Sequence, residues 1–110
     1  MLFRSAGLVY VSGQLPIDLE NPDKPIGSIE EQTLITLQNL EKVLLAANSD
    51  KSHVLKATIF ISDITLWAAA NKVYGNFFGS HKPARSAVPT KDLPKGFQIE
   101  IEAIAAVKSS

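Results

Sequence analysis

The chain has 110 residues, of which 45% are hydrophobic and 20% charged, so we place one globular domain over residues 1–110. Eleven basic and eleven acidic side chains cancel, which removes the basic excess typical of nucleic-acid binding. The chain has no cysteine, which excludes disulfides, and its two histidines, His53 and His81, are far apart in the sequence, which argues against a metal site. No apolar run approaches ~18 residues, the length needed to span a membrane. We expect a location in the cytosol or in an organelle matrix.

The N-terminal half predicts a hairpin, a loop and a helix. Residues 2–12 carry two runs of strand-forming residues around Ser5-Ala6-Gly7, which supplies the turn. Prolines and glycine between positions 16 and 27 predict a loop. Ser28 and Glu31 then form a capping box. The helix that follows ends near Ala47 and has an apolar stripe made of Leu34, Leu37, Leu40, Leu44 and Ala47.

The C-terminal half predicts three strands around a second helix. Residues 54–61 form a strand, with Lys56 and Thr58 on one face and Leu55, Ala57, Ile59 and Ile61 on the other. Asp63 or Thr65 caps the second helix, Gly79 ends it, and its inner side carries Trp67, Ala70, Tyr74 and Phe77 or Phe78. Strands at 84–88 and 97–107 follow, separated by a turn at 93–96.

The order β-β-α-β-α-β-β predicts a mixed sheet with both helices packed on one face. The last strand places Phe97, Ile99, Ile101, Ala103, Ala105 and Val107 toward the helices. Its other face reads Gln98, Glu100, Glu102, Ile104 and Ala106, polar at one end and apolar at the other. Such a face suits either a subunit interface with a polar pocket at its rim or contact with solvent.

Arg85 and Glu100 are the candidates for chemistry. Arg85 is one of two arginines, and a guanidinium binds a carboxylate through two parallel hydrogen bonds. On pattern alone it could also be a surface residue, or could pair with Glu100 or Glu102 as an interface ion pair. These two glutamates lie on one strand face about 7 Å apart, where they could divide acid and base roles or simply be solvated. Ser12-Gly13-Gln14, at the end of the first hairpin, could supply a hydroxyl and allow a ligand to approach the backbone closely, or could simply be the end of a strand.

Several segments taken together resemble the Rid family, also called YjgF, the reactive-intermediate deaminases. The resemblance covers nearly the whole chain and is most specific where P-A-R-S, L-P-K-G and E-I-E-A-I-A occur in this order and spacing. The matching segments are Val11–Pro16, Glu31–Thr33, Asn39–Leu40, Val54–Phe60, Asp63, Asn71–Tyr74, Lys82–Ser86, Leu93–Gly96 and Ile99–Ala105.

The resemblance implies a chorismate-mutase-like (YjgF-like) α+β fold that assembles as a homotrimer with ligand clefts between subunits. It implies an enzyme without cofactor or metal, which hydrolyses reactive 2-imino and enamine acids such as 2-aminoacrylate to 2-keto acids and ammonia. By the same resemblance, Arg85 holds the substrate carboxylate and Glu100 positions or activates the water. Ser12, Gly13 and Asn71 match residues near the cleft.

The sequence departs from the family pattern at its start. Family members carry an earlier segment with a G-P-Y-S-Q-like motif, whose tyrosine lines the cleft. This sequence begins just after the place of that tyrosine, so that its start is either naturally short or truncated. We therefore expect a more open pocket, in which binding does not guarantee turnover. A position that is often cysteine in the family is Ala87 here. Two alternatives stay open: a regulatory protein that binds 2-keto acids, and a ribonuclease or translation inhibitor, against which the neutral charge and the lack of a histidine pair argue.

Overall fold

The chain begins with a tight hairpin. In the computed structural model, which describes residues 2–108, β1 (Leu2–Ser5) pairs antiparallel with β2 (Leu8–Gln14). Ala6 and Gly7 form the turn with φ angles of 53° and 76°. Positive φ at both central residues is what a two-residue turn needs to match the twist of its strands. The predicted hairpin is confirmed.

The first helix, α1 (Ile29–Ala46), starts where its cap predicts. The Ser28 hydroxyl accepts a hydrogen bond from the backbone N–H of Glu31 at 3.1 Å, which satisfies one of the unpaired donors of the first turn. The helix buries most of the predicted stripe, namely Leu37, Leu40, Leu44 and Ala47.

Leu34 is the member of that stripe for which the prediction is wrong. It is 43% exposed, whereas Thr33 and Thr36 are buried in its place. Both threonine hydroxyls donate to backbone carbonyls one turn earlier, each at 2.7 Å, so that neither polar group is left unpaired in the core.

Strand β3 (Val54–Ile61) contains an irregularity that the alternating pattern does not reveal. Its register against the last strand shifts between Val54 and Lys56, and the extra residue turns the side chains around it. Val54, Ala57, Ile59 and Ile61 are buried, but Leu55 is 49% exposed. The prediction that Leu55 shares a face with Ala57, Ile59 and Ile61 is therefore wrong.

The second helix, α2 (Trp67–Phe78), follows a short 3₁₀ turn at Ile64–Leu66. The Asp63 carboxylate accepts a hydrogen bond from the N–H of Thr65 at 2.9 Å, and Gly79 ends the helix with a φ of 65°. The predicted end at Gly79 is confirmed. The predicted start is wrong in part, because Asp63 caps the 3₁₀ turn, whereas α2 itself begins after Leu66 without a side-chain cap. The last two strands are β4 (Ala84–Pro89) and β5 (Ile99–Ala106).

The five strands form one sheet in the order β1-β2-β5-β3-β4, in which β3 and β4 run parallel and the other pairs run antiparallel. Both helices cover one face, so the predicted mixed α+β sheet is confirmed. Ile99, Ile101, Ala103 and Ala105 of β5 are buried beneath the helices. Within residues 2–108, no helix has the length and apolar character needed to cross a bilayer.

The opposite face of the sheet is open. A row of side chains crosses it from Phe3 through Tyr10 and Ile104 to Lys56, as the strand registers show. Phe3 is 69% exposed and Tyr10 is 41% exposed. Gln98 does not belong to this face, contrary to the prediction. It precedes β5 and forms two hydrogen bonds with the buried Gln32 of α1.

Candidate functional site

Arg85 lies on β4, at the edge of the sheet. It pairs in register with Ala57 of β3, which is buried on the helix-covered face. Side chains of paired residues point to the same side of a sheet, so Arg85 projects toward α2 and not toward the open face.

Helix α2 contacts the Arg85 guanidinium through one polar and two aromatic side chains. Trp67, Asn71 and Tyr74 are spaced to lie along one helix face. The Asn71 Oδ1 atom accepts a hydrogen bond from Arg85 Nη1 at 2.5 Å. The Arg85 Cζ atom lies 5.3 Å from the ring centroid of Trp67 and 5.0 Å from that of Tyr74, distances at which an aromatic face attracts a cation. Asn71 and the two aromatic rings thus hold the charge of Arg85 in place.

No carboxylate within residues 2–108 forms an ion pair with Arg85. Arg85 therefore pairs with neither Glu100 nor Glu102 inside one chain, and an ion pair across an interface stays a prediction. A guanidinium has five N–H donors, and Asn71 takes one of them. The remaining donors can bind a carboxylate that comes from outside the chain.

Arg85 lines a cleft of about 400 Å³. The cleft is lined by Asn71, Tyr74, Gly75, Phe78, Gly79, His81, Lys82, Pro83 and Arg85. Tyr74 is 4% exposed, and its hydroxyl has no hydrogen-bond partner in the described part of the chain. Burial raises the pKa of Tyr74, and the charge of Arg85 opposes this only in part. Tyr74 therefore stays neutral at physiological pH and keeps its proton.

Glu100 lies on the other face of the sheet. It pairs in register with Phe60 of β3 and is half-buried. Its carboxylate lies against Gly13, where a side chain would collide with it. The pairing of β2 with β5 is irregular between Val11 and Gln14, and such bulges are common beside functional sites. Gly13 thus leaves room for the glutamate.

Ser12 and Glu102 lie near Glu100 on the same open face. Ser12 and Glu102 also line a shallow depression of about 380 Å³, together with Phe3, Tyr10 and Ile104. Ser12, Gly13 and Glu100 therefore form one group of predicted site residues, and Arg85 and Asn71 form another. Because the sheet separates the two groups, one chain does not bring Arg85 and Glu100 into a single pocket.

Two partners of Arg85 were not anticipated from the sequence. Trp67 and Tyr74 were predicted only as members of the core on the inner side of α2. Their spacing around Asn71 was the available signal, since residues at i, i+4 and i+7 share a helix face. A polar residue between two aromatic residues on one helix face indicates that this face contacts a polar group as well as the apolar core.

The two histidines have separate local partners. His53 Nδ1 lies 2.7 Å from Asp50 Oδ1, and His81 Nε2 lies 2.7 Å from the carbonyl oxygen of Val54. Hydrogen bonds from Ser52 and then from His53 hold the pKa of Asp50 well below its usual range. In the part of the chain that the structure describes, no group of three or more side chains is arranged to hold a metal ion.

Comparison with known proteins agrees with the fold and the arrangement of motifs. The profile of the family described as "Endoribonuclease L-PSP" matches residues 2–107. A protein of Capra hircus named 2-iminobutanoate/2-iminopropanoate deaminase is 41% identical over 97 residues, which cover 88% of this chain and 71% of that protein.

Solved structures show the same relationship. The crystal structure of YyfA from Yersinia pestis, described as a protein of the conserved Rid family, has a TM-score of 0.92 and 40% identity, and the match covers 96% of this chain and 85% of that one. The structure of E. coli TdcF with bound serine has a TM-score of 0.90 and 33% identity, covering 97% and 86% of the two chains. The chain therefore belongs to the Endoribonuclease L-PSP family, which is the Rid or YjgF family.

Proposed function

We propose that the protein is a hydrolase that deaminates 2-imino acids and their enamine tautomers, such as 2-aminoacrylate, to 2-oxo acids and ammonia. The observation that carries this proposal is Arg85, a fixed arginine without an acidic partner in the described chain, beside an open cleft. The Capra hircus relative is named for this activity. TdcF binds serine, a small molecule with the same carboxylate that the proposed substrates carry.

The reaction requires few functional groups from the protein. Water adds to C2 of the 2-iminium acid, a C–O bond forms, and the C–N bond then breaks. The products are the 2-oxo acid and ammonium, so one water molecule balances the reaction. Since the iminium carbon is already electrophilic, the protein must fix the carboxylate, orient the water and transfer protons between the oxygen and the nitrogen.

In this proposal Arg85 binds the substrate carboxylate through two N–H groups, while Asn71 accepts a third and fixes the plane of the guanidinium. Glu100 takes a proton from the attacking water and returns it to the leaving nitrogen. Ser12 and Gly13 lie beside the water. Since the sheet separates Arg85 from Glu100 in one chain, these roles require residues from two copies.

We propose accordingly that the protein is a homotrimer, in which Arg85 of one copy meets Glu100 of the next. The open sheet face supports this, because Phe3 and Tyr10 are exposed there, and a contiguous apolar patch is typical of an interface. Light scattering should give three times the 11.9 kDa mass of the chain. A monomer at that mass would contradict the proposal.

A mixing experiment tests the shared site directly. Arg85→Ala and Glu100→Gln should each be inactive as pure proteins, since every cleft lacks one residue. After the two variants are mixed in equal amounts, unfolded and reassembled, about a quarter of the clefts should contain both native residues. Recovery of roughly a quarter of the wild-type activity supports a site between copies. No recovery from correctly sized oligomers would show that the residues do not act across copies.

The activity itself is tested on 2-aminoacrylate generated in situ, by measuring ammonia release with and without the protein. Arg85→Ala should lower the catalysed rate about 100-fold or more, the effect of losing charge-assisted hydrogen bonds. Arg4→Ala removes the other arginine, which is exposed on β1, and should leave the rate unchanged. Equal rates with and without wild-type protein would refute the proposed activity.

A binding or regulatory protein is the second candidate. The Arg85 cleft is lined by residues of one chain, so a carboxylate could bind without help from Glu100. Calorimetry with 2-oxobutanoate separates the candidates, because binding without any deaminase activity favours regulation. Ribonuclease activity has less support, since His53 and His81 are engaged with different partners and form no acid–base pair. We propose the cytosol or an organelle matrix as the location.

A further inference from the structure

The Arg85 cleft carries a second positive charge. Lys82 lines it together with Arg85, and no aspartate or glutamate is among the lining residues. Lys82 is exposed and forms no hydrogen bond or ion pair with any residue between 2 and 108. Its charge is therefore not neutralised within the described chain. Lys82 and Arg85 are three positions apart, which is roughly 10 Å in an extended chain, a span that two long side chains can close around one ligand.

His81 gives the same end of the cleft a further polar group. Its Nε2 atom lies 2.7 Å from the carbonyl oxygen of Val54. Because a carbonyl oxygen only accepts, this nitrogen must carry a proton. The Nδ1 atom has no partner among the described residues. It accepts a hydrogen bond when the ring is neutral and donates one when the ring is protonated.

The cleft also has unfilled space next to α2. A Cβ atom added to Gly75 or Gly79 would meet no atom within 4 Å. The volume of about 400 Å³ is within the range of small-molecule sites. A molecule of liquid water takes roughly 30 Å³, so a three-carbon acid would leave much of this space unused. Apolar walls come from Phe78, Pro83 and the ring of Tyr74.

We propose that this cleft binds the side chain of the substrate and selects 2-imino and 2-oxo acids that carry a second carboxylate. Arg85 binds the carboxylate next to the reacting carbon, and Lys82 binds the distal one. The inference rests on the proposed function for its reaction. The binding preference, however, is measurable on the products without turnover, so the two proposals fail separately.

The charge is tested by calorimetry with two five-carbon products, 2-oxoglutarate and 2-oxopentanoate. Wild-type protein should bind 2-oxoglutarate about tenfold more tightly at low salt, and Lys82→Ala should reduce that ratio to about twofold. Lys72→Ala is the matched control, because it removes one exposed positive charge from α2 outside the cleft, and it should keep the tenfold ratio. An equal affinity for both ligands, or a ratio that Lys82→Ala leaves unchanged, overturns the inference.

The role of the unfilled space beside α2 is tested by placing a larger side chain in it. Gly75→Leu should lower kcat/KM for the five-carbon imine, made in situ from glutamate by an amino-acid oxidase, about tenfold more than it lowers kcat/KM for the three-carbon imine. Asn76→Leu adds the same side chain at an exposed position of α2 outside the cleft, and it should affect neither. If the three-carbon imine is hydrolysed and Gly75→Leu does not distinguish the substrates, the side chain lies elsewhere and the inference is wrong. If neither imine is hydrolysed, the proposed function fails, and the calorimetric ratio still decides the ligand preference.

Discussion

The contact between Asn71 and Arg85 explains why a neutral acceptor is useful at this position. Asn71 Oδ1 accepts from Arg85 Nη1 at 2.5 Å and leaves the charge of the guanidinium intact. An aspartate in its place would keep the geometry and the hydrogen bond, but it would add a negative charge beside the group that is to bind a carboxylate. Asn71→Asp therefore tests the electrostatic role of Arg85 with almost no change in shape.

The size of the effect follows from the distances. In the Asn71→Asp variant, the new carboxylate and the bound carboxylate would lie on opposite sides of one guanidinium, each about 4 Å from its centre. At the resulting separation of roughly 8 Å, two like charges repel by about 0.5 kcal/mol in water and about 2 kcal/mol at an effective dielectric constant near 20. The Kd should therefore rise about 2- to 30-fold, and the lower half of this range fits an exposed arginine.

The assay is calorimetry with 2-oxobutanoate at low and high salt. Asn71→Asp should weaken binding at low salt, and the difference from wild type should shrink at 1 M salt, where the screening length is only ~3 Å. Asn76→Asp is the control, because it places the same charge on an exposed position of α2 that does not line the cleft. Unchanged or tighter binding to the Asn71→Asp variant would refute the role of Arg85 as the carboxylate site.

Three further predictions concern stability and are measured at fixed protein concentration. In urea unfolding, Leu37→Ala should lower the free energy of unfolding by about 2–5 kcal/mol, because this side chain is buried. Leu34→Ala should lower it by less than about 0.5 kcal/mol, because Leu34 is 43% exposed. Equal losses would contradict the assigned helix face. Gly75→Ala should raise thermal stability by about 0.5–1 kcal/mol, whereas Gly79→Ala should lower it, since φ at Gly79 is 65°; a gain at both positions would refute this. The pKa of Asp50 is lower in the folded chain than in the unfolded one, so its contribution is complete above about pH 3.9 and is lost as the pH falls through the folded-state pKa. Asp50→Asn should be less stable than wild type at pH 7 and equally stable in strong acid, and a pH-independent difference would show that the charge is not responsible.

Local signals predicted most of the fold because each acts over a few residues. The hairpin needs two residues that tolerate positive φ, and Ala6-Gly7 supplies them. The start of α1 needs a hydroxyl at Ser28 and a donor at Glu31. Both features depend on neighbours in the sequence, so the rest of the chain does not alter them.

The errors in the predicted core arise where distant strands or helices meet. Leu55 has the right spacing for a buried residue, but the register shift of β3 against β5 turns it outward. Gln98 continues the alternation of β5, yet it pairs with Gln32 of α1 because the strand has not begun. Periodicity indicates which residues share a face, and only pairing between elements decides where the strand starts and which residue is extra.

The order of elements, the residue types of the candidate site and the family resemblance can all be read from the amino-acid sequence. The distribution of those residues over the molecule depends on the fold. It placed Arg85 beside Asn71 under α2 and Glu100 beside Gly13 on the open face. This distribution arises because a sheet has two faces, and the register between β3, β4 and β5 assigns each side chain to one of them.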